Sequence, residues 1–195
     1  VTNFSKLTGL PIYDLYSELN SMLHNNAIKW SNDNQICLNT TVDAPDDFLK
    51  GCGSLTHDWS ASKQIIDQFG NERIEVKKYD TPYTESDFST MCSQFKHTLF
   101  EHVYNELAKR YKLGRVRIMK SKPKTCLSWH TDANIRIHYP IKTQEGCFMI
   151  IENEVQHLTA STWWETNTLP LHTAVNASKE DRIHLVAVVL YNHNI

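Results

Sequence analysis

Three residues in the second half of the chain have the types and spacing to hold a metal ion. His130 and Asp132 stand two apart in Trp129-His130-Thr131-Asp132, and His172 follows in Leu171-His172-Thr173-Ala174-Val175-Asn176. Two imidazoles and one carboxylate, with open positions left on the metal, suit non-haem Fe(II). In an extended strand, residues two apart share a face, so His130 and Asp132 can reach one ion while Thr131 points away. A third ligand from a distant strand fits a barrel, where inward side chains of separate strands converge. An octahedral ion held this way keeps roughly three open positions. A 2-oxo acid can chelate through two of them and leave one for O2. The far carboxylate of such a co-substrate needs a fixed cation, and arginine's planar fork grips a carboxylate in bidentate fashion and stays charged when buried. Arg182 opens the most apolar run of the chain, ten residues after His172 (182 − 172 = 10). That interval suits one turn and a return strand, which would set Arg182 beside the third ligand.

Each piece alone is weak. With ten histidines in the chain a chance His-x-Asp is ordinary, a lone strand histidine is usually a hydrogen-bonded core residue, and a lone arginine is usually in a surface ion pair. The full order within one β-rich stretch is much harder to obtain by chance and favours the iron site. Two rivals remain open. A zinc-dependent hydrolase would use the same three ligands and one bound water. A non-catalytic small-molecule-binding jelly roll would need neither the complete ligand set nor Arg182.

The same stretch carries a family resemblance. Trp129-His130-Thr131-Asp132, Arg136-Ile137-His138-Tyr139-Pro140-Ile141-Lys142-Thr143, Trp163-Trp164, His172-Thr173-Ala174-Val175-Asn176 and Asp181-Arg182-Ile183-His184-Leu185-Val186 resemble the aspartyl/asparaginyl β-hydroxylases. These are Fe(II)/2-oxoglutarate dioxygenases, and the family includes the proline cis-4-hydroxylases. The likeness covers about the last third of the chain and extends weakly back to Arg115. It implies Fe(II) on His130, Asp132 and His172, with 2-oxoglutarate and O2 as co-substrates. It implies that Arg182 binds the distal carboxylate of 2-oxoglutarate, that His138 assists at the co-substrate, and that Arg136 faces co-substrate or substrate. The substrate it implies is an amino acid, free or within a peptide or protein. Two departures stand out. Members acting on epidermal-growth-factor-like domains lack the metal carboxylate, so Asp132 sets this chain with the branch that has a complete triad. The family's Pro-Gly-x-x-Ile before the metal residues reads Lys122-Pro123-Lys124-Thr125-Cys126-Leu127 here, without the glycine.

The elements that must position these residues follow from periodicity. From Arg115 the pattern is β, with Val116 and Ile118 facing one way and Arg115 and Arg117 the other. Strands are expected near 126–129, 135–141, 147–151, 155–158, 161–164, 169–175 and 182–191. In the second of these, parity puts Arg136 and His138 on one face and Ile135, Ile137, Tyr139 and Ile141 on the other. Trp163-Trp164 reads as barrel wall, and Lys120, Lys122 and Lys124 as a basic guard on an edge strand. Earlier, Leu10 to Leu23 has helical spacing, and Ile36 and Leu38 mark a strand within Trp30–Thr41. Ser60 to Phe69 reads as a short helix stopped by Gly70, and Ile74 and Val76 as a short strand. Thr84 opens a long helix whose stripe runs through Phe88, Phe95, Leu99 and Leu107 and which Gly114 ends. The fold class is mainly β with flanking helices, a double-stranded β-helix of the jelly-roll or cupin type. Residues 1–195 read as a single domain, 1–114 a helical and mixed buttress and 115–195 the jelly-roll core.

Composition narrows the classes further. The chain has 195 residues, 41% hydrophobic, with a formal net charge of −2, so a full core is possible and nucleic-acid binding by bulk charge is not indicated. No apolar run reaches the length of a membrane span. The start shows no signal-peptide character, and the five cysteines form no Cys-x-x-Cys, which points to reduced thiols in a cytoplasm. Glycosylation-like triplets at Asn3, Asn39 and Asn176 are treated as chance. His57-Asp58 resembles the metal pair of a phosphohydrolase, without the other ligands such an enzyme needs. The turn-rich loop from Asp43 to Trp59 is long enough to cover a barrel mouth and select substrate. Shortening Gly51–Ser54 should therefore alter substrate affinity while the fold persists; unchanged kinetics would refute that role.

Overall fold

The computed structural model describes residues 2–55, 63–66, 72–75 and 83–192. It divides into two compact units, residues 1–52 with 85–195, and residues 53–84. In chain order the elements are β1 (Phe4–Leu7), α1 (Leu15–His24), β2 (Gln35–Cys37), β3 (Asn39–Thr40), β4 (Lys63–Ile66), β5 (Glu72–Glu75), β6 (Thr90–Met91) and α2 (Leu99–Ala108). The second half is β throughout: β7 (Tyr111–Ser121), β8 (Thr125–Cys126), β9 (Arg136–Lys142), β10 (Cys147–Ile151), β11 (Glu154–Gln156), β12 (Trp163–Thr166), β13 (His172–Asn176) and β14 (Arg182–Asn192).

The larger unit is a jelly roll. A six-stranded antiparallel sheet has the order β1-β12-β9-β14-β7-β2, and a four-stranded sheet the order β11-β10-β13-β8. From β7 onward the chain crosses repeatedly between the two, so that β7, β9, β12 and β14 lie in one sheet and β8, β10, β11 and β13 in the other. This is the expected mainly-β class. β1 and β2, from the first forty residues, extend the larger sheet at its two edges.

The main hydrophobic core lies between the larger sheet and the two helices, not between the sheets. Ile137, Tyr139 and Ile141 of β9 join Ile183, Leu185 and Ala187 of β14 there, against Leu15 and Leu19 of α1 and Phe100, Val103 and Leu107 of α2. The opposite residues of the same strands, Arg136, His138, Arg182 and His184, are buried and polar. Strand alternation thus gives one sheet a greasy face that carries the stability and a polar face that is free for chemistry. A smaller apolar cluster of Phe4, Met149, Ile151, Leu158 and Trp164 accompanies the polar face. Adjacent in sequence, Trp163 and Trp164 go to different clusters, and Trp163 donates to the Pro11 carbonyl at 2.8 Å.

Several helix expectations change. α1 starts at Leu15 rather than Leu10, because Pro11 lies in the lead-in and Asp14 is the cap, accepting from the Ser17 backbone N–H. The long helix from Thr84 is replaced by short turns and β6, and only Leu99–Ala108 is α-helical. Its true start is Thr98, whose hydroxyl accepts from the Glu101 N–H while Glu101 accepts from the His97 N–H. Gly114 does not end a helix; it lies within β7, where a Cβ would stand 2.9 Å from Glu85 Cβ. Within 60–69, the described residues Lys63–Ile66 are a strand paired with Glu72–Glu75, not a helix. Strand pairing overrides the local spacing in each of these short segments.

β7 is not an edge strand, since β14 and β2 flank it, and Lys120 lies over the Trp30 ring at 4.4 Å. The three glycosylation-like asparagines are all buried. Asn176 holds the carbonyls of Ser121, Lys122 and Glu180, and Asn39 holds those of Phe88 and Gly114. His57-Asp58 and residues 56–59 of the expected loop lie outside the described residues. Among the described residues, no helix is long and apolar enough to cross a membrane.

Glu85 and Arg115 form a nearly buried fork, with Arg115 Nη2 2.8 Å from Glu85 Oε1 and its backbone N–H 3.0 Å from Oε2. Burial alone would raise the Glu85 pKa, but the hydrogen bonds and charge of Arg115 overcome it and hold the carboxyl below its ordinary value of 4.5. A carboxyl depressed in the folded state stabilises fully above its unfolded pKa, and that contribution disappears as pH falls through the folded value. Glu85→Gln should destabilise the fold by about 1.5–3 kcal/mol at neutral pH. Denaturant melts at pH 7 and pH 3 should show the gap between mutant and wild type shrinking at the lower pH.

Candidate metal centre

His130, Asp132 and His172 meet. Among the described residues they form a group whose potential ligand atoms all lie within 4.8 Å of one another. Backbone pairing explains the meeting. The His130 N–H donates to the His172 carbonyl at 3.1 Å, and the His172 N–H to the His130 carbonyl at 2.9 Å. This reciprocal bridge sets the two rings side by side, centroids 4.3 Å apart. The strand-like segment is fastened further by Asp132 N–H to the Thr168 carbonyl, Thr173 hydroxyl to the Leu127 carbonyl, and Thr168 hydroxyl to the Asn134 carbonyl.

Hydrogen bonds also settle which ring nitrogens are available. His130 Nδ1 is 2.7 Å from the Ser128 carbonyl, and His172 Nδ1 is 2.9 Å from the Pro170 carbonyl. A carbonyl only accepts, so each Nδ1 carries a proton and each neutral ring keeps its lone pair on Nε2. His172 Nε2 then faces Asp132 Oδ2 at 3.5 Å, one lone pair against another. A cation between them resolves the repulsion, whether a proton on His172 or a shared metal ion. Ligand atoms about 2.1 Å from one ion stand ~3–3.4 Å apart, so the 3.5 Å between His172 Nε2 and Asp132 Oδ2 is close to that of two ligands on a common metal. The donor set fits Fe(II) on these grounds.

Asp132 is prepared as an anion. Burial opposes its charge, but contacts from His172 and Arg136 hold its carboxyl far below the usual carboxylate range. Arg136 Nε and Nη2 grip Oδ2 and Oδ1 at 2.9 and 2.8 Å, a two-point fork from four residues along. The guanidinium expected to face co-substrate or substrate is thus engaged with Asp132, and its Nη1 is left without a partner.

Arg182 and His138 stand on the polar face of the larger sheet. Arg182 opens β14 opposite Ser121 of β7, and His138 of β9 pairs with Val186 of β14. Arg182 does not sit on a strand next to His172, because β13 and β14 belong to different sheets; a jelly roll crosses between sheets at that step. The interior is nevertheless shared. Burial first, then the charges of Arg182 and Arg136, hold His138 neutral, and Asp132 and His172 act on the same ring. Burial brings Arg182 down to about 10, so it remains charged at neutral pH. One neighbour carried no expected role: His184, whose Nδ1 lies 3.0 Å from Arg182 Nη2. Parity was the available signal, since residues 182 and 184 share a strand face.

The turn before His130 is made without the family's glycine. Lys124, in the glycine's place after Pro123, takes φ +56°, and the Thr125 hydroxyl donates to the Lys122 carbonyl at 2.6 Å. A left-handed conformation costs an L-residue about 1–2 kcal/mol, so the backbone holds it against the side chain's preference.

A jelly roll on which two histidines and one carboxylate converge offers a candidate metal-binding centre. Residues 75–191 match the model of the aspartyl/asparaginyl beta-hydroxylases, and the chain belongs to that family. No curated protein matches it. Solved structures similar to it include a cupin domain from Bordetella pertussis Tohama I, at 14% identity over 40% of this chain and 82% of that one, TM-score 0.36. An oxidoreductase of the 2OG-Fe(II) oxygenase family from Burkholderia pseudomallei is 16% identical over 48% of this chain and 49% of its own, TM-score 0.36. AerE from Microcystis aeruginosa is 19% identical over 42% and 39%, TM-score 0.35. The match thus spans half or less of the length of the last two.

If Arg136 orients the ligand carboxylate, Arg136→Gln should weaken Mn(II) binding ~10–100-fold, measured by calorimetric titration. Asp132→Ala should remove saturable binding. Equal affinity in wild type and both variants would place the metal elsewhere.

Proposed function

We propose that this chain is an Fe(II)- and 2-oxoglutarate-dependent hydroxylase of an amino acid, free or within a peptide or protein. The observation that carries the reading is the convergence of one potential ligand atom each from His130, Asp132 and His172 within 4.8 Å of one another, with a backbone carbonyl against Nδ1 of both imidazoles. Family membership supports the hydroxylase class and the amino-acid substrate.

Bound ferrous iron would supply the oxidising chemistry, in which O2 and 2-oxoglutarate yield succinate, CO2 and one oxygen atom inserted into a C–H bond of the substrate. The chain supplies position and environment. His130, Asp132 and His172 would occupy three metal positions and leave the others for co-substrates. Arg136 keeps the carboxylate ionised and aimed. Arg182, buried and charged, is suited to the distal carboxylate of 2-oxoglutarate, since a planar fork in a low-dielectric interior grips a carboxylate strongly. His138, neutral and buried beside both groups, has an Nε2 without a protein partner and so can meet a bound ligand. Arg182 and His138 are buried while His130 and Asp132 are only half-buried, so a bound substrate would have to complete the exclusion of water that such an oxidant requires.

The test is a screen of amino acids and peptides for substrate-stimulated succinate release with Fe(II), followed by mass spectrometry for an added oxygen atom. Arg182→Ala should raise the 2-oxoglutarate KM by the equivalent of ~2–5 kcal/mol, because the buried carboxylate loses its charged partner. Succinate production that persists in Asp132→Ala or His172→Ala would refute the triad. Zinc occupancy with no affinity for the keto acid would establish the hydrolase instead.

A further inference from the structure

We infer that His184 is a positioning residue for Arg182, setting the plane of its guanidinium and thereby the place where the distal end of a diacid is held. The inference rests on the co-substrate reading above and assigns a residue that this reading leaves without a role.

Arg182 and His184 alternate on the buried face of β14, 6% and 1% exposed. Arg182 Nη2 lies 3.0 Å from His184 Nδ1. A guanidinium has only donors, so Nδ1 must accept, and the His184 proton sits on Nε2. The same lone pair faces His138 Nδ1 at 3.4 Å, with the two rings edge to face at 79°. The shorter contact, from Arg182, takes that lone pair, so the His184 ring cannot turn without stranding a guanidinium N–H, and the His138 ring packed edge-on against it restricts the turn further. Burial and the adjacent Arg182 charge keep His184 neutral, which preserves the acceptor.

The consequence falls on Arg182. A long, flexible side chain can point its fork in many directions, and a bidentate grip requires one of them. The bond to His184 uses one N–H along the imidazole lone pair, which fixes the plane and direction of the remaining donors. His184 Nε2 is itself buried without a protein partner, so the ring has a second edge available to a ligand acceptor. Removing the acceptor would leave the guanidinium charged and anchored at its base, but unaimed.

The experiment compares His184→Leu, His184→Asn and Arg182→Gln with wild type by calorimetric binding of 2-oxoglutarate to the Mn(II)-loaded protein, alongside KM and kcat. Asparagine offers a carbonyl oxygen in the region of Nδ1 and should keep 2-oxoglutarate affinity within about 3-fold of wild type. Leucine should weaken it about 10- to 100-fold, the usual effect of stranding a buried donor, and raise KM more than it lowers kcat. Mn(II) affinity should stay at the wild-type value in both His184 variants. Wild-type 2-oxoglutarate affinity in His184→Leu, or equal losses in the Leu and Asn variants, would overturn the inference. If wild type binds the keto acid and Arg182→Gln does not, either of those results removes only the role of His184. If wild type itself fails to bind 2-oxoglutarate, the co-substrate reading falls and takes this one with it.

Discussion

The reciprocal backbone bridge between His130 and His172 is the constraint on which the rest depends. It joins the segment after β8 to the start of β13 and brings two imidazoles to 4.3 Å. Each ring then spends its Nδ1 proton on a carbonyl two residues before it, Ser128 for one and Pro170 for the other. His172 Nε2 is left facing the Asp132 carboxylate at 3.5 Å, with His130 in the same cluster. Such an arrangement is unfavourable unless a cation completes it, either a proton on His172 or a shared metal ion.

The fold can hold that demand because stability and chemistry occupy opposite faces of one sheet. Apolar residues of β7, β9 and β14 pack against α1 and α2, where most of the large core lies. The facing positions of the same strands are then free to be arginine and histidine. Burying ionisable groups is normally costly. Here each charge has a specific partner: Asp132 takes the fork of Arg136, Glu85 that of Arg115, and Arg182 donates to His184. Among the described residues, the unpartnered buried atoms include His138 Nε2, His184 Nε2 and Arg136 Nη1, all from the polar face of the larger sheet. Buried polar atoms are seldom left unpaired without a reason, and a bound ligand is a sufficient one.

Much of the second half was legible because long strands impose a strict two-residue period. Parity correctly separated Arg136 and His138 from Ile137, Tyr139 and Ile141, and the strands of the jelly roll fell near their observed places. The first half was less legible. Phe88, Phe95 and Leu99 happen to recur at helical spacing, yet Thr90–Met91 pairs with Asn39–Thr40 and the helix waits for Thr98. Gly114 looked like a helix stop because glycine serves both purposes; its actual reason is the close approach of Glu85.

By itself, the amino-acid sequence determined the candidate ligand types, the spacing that puts His130 and Asp132 on one side of an extended segment, and the strand parity that turns His138 and Arg182 inward. Those follow from covalent geometry, which is local. Only the tertiary structure decided that Arg136 clamps Asp132, that β13 and β14 lie in different sheets, and that Arg182 leans on His184. These depend on crossovers between sheets, and the partner of a buried polar group is chosen by which strands the crossovers bring together, not by its distance along the chain.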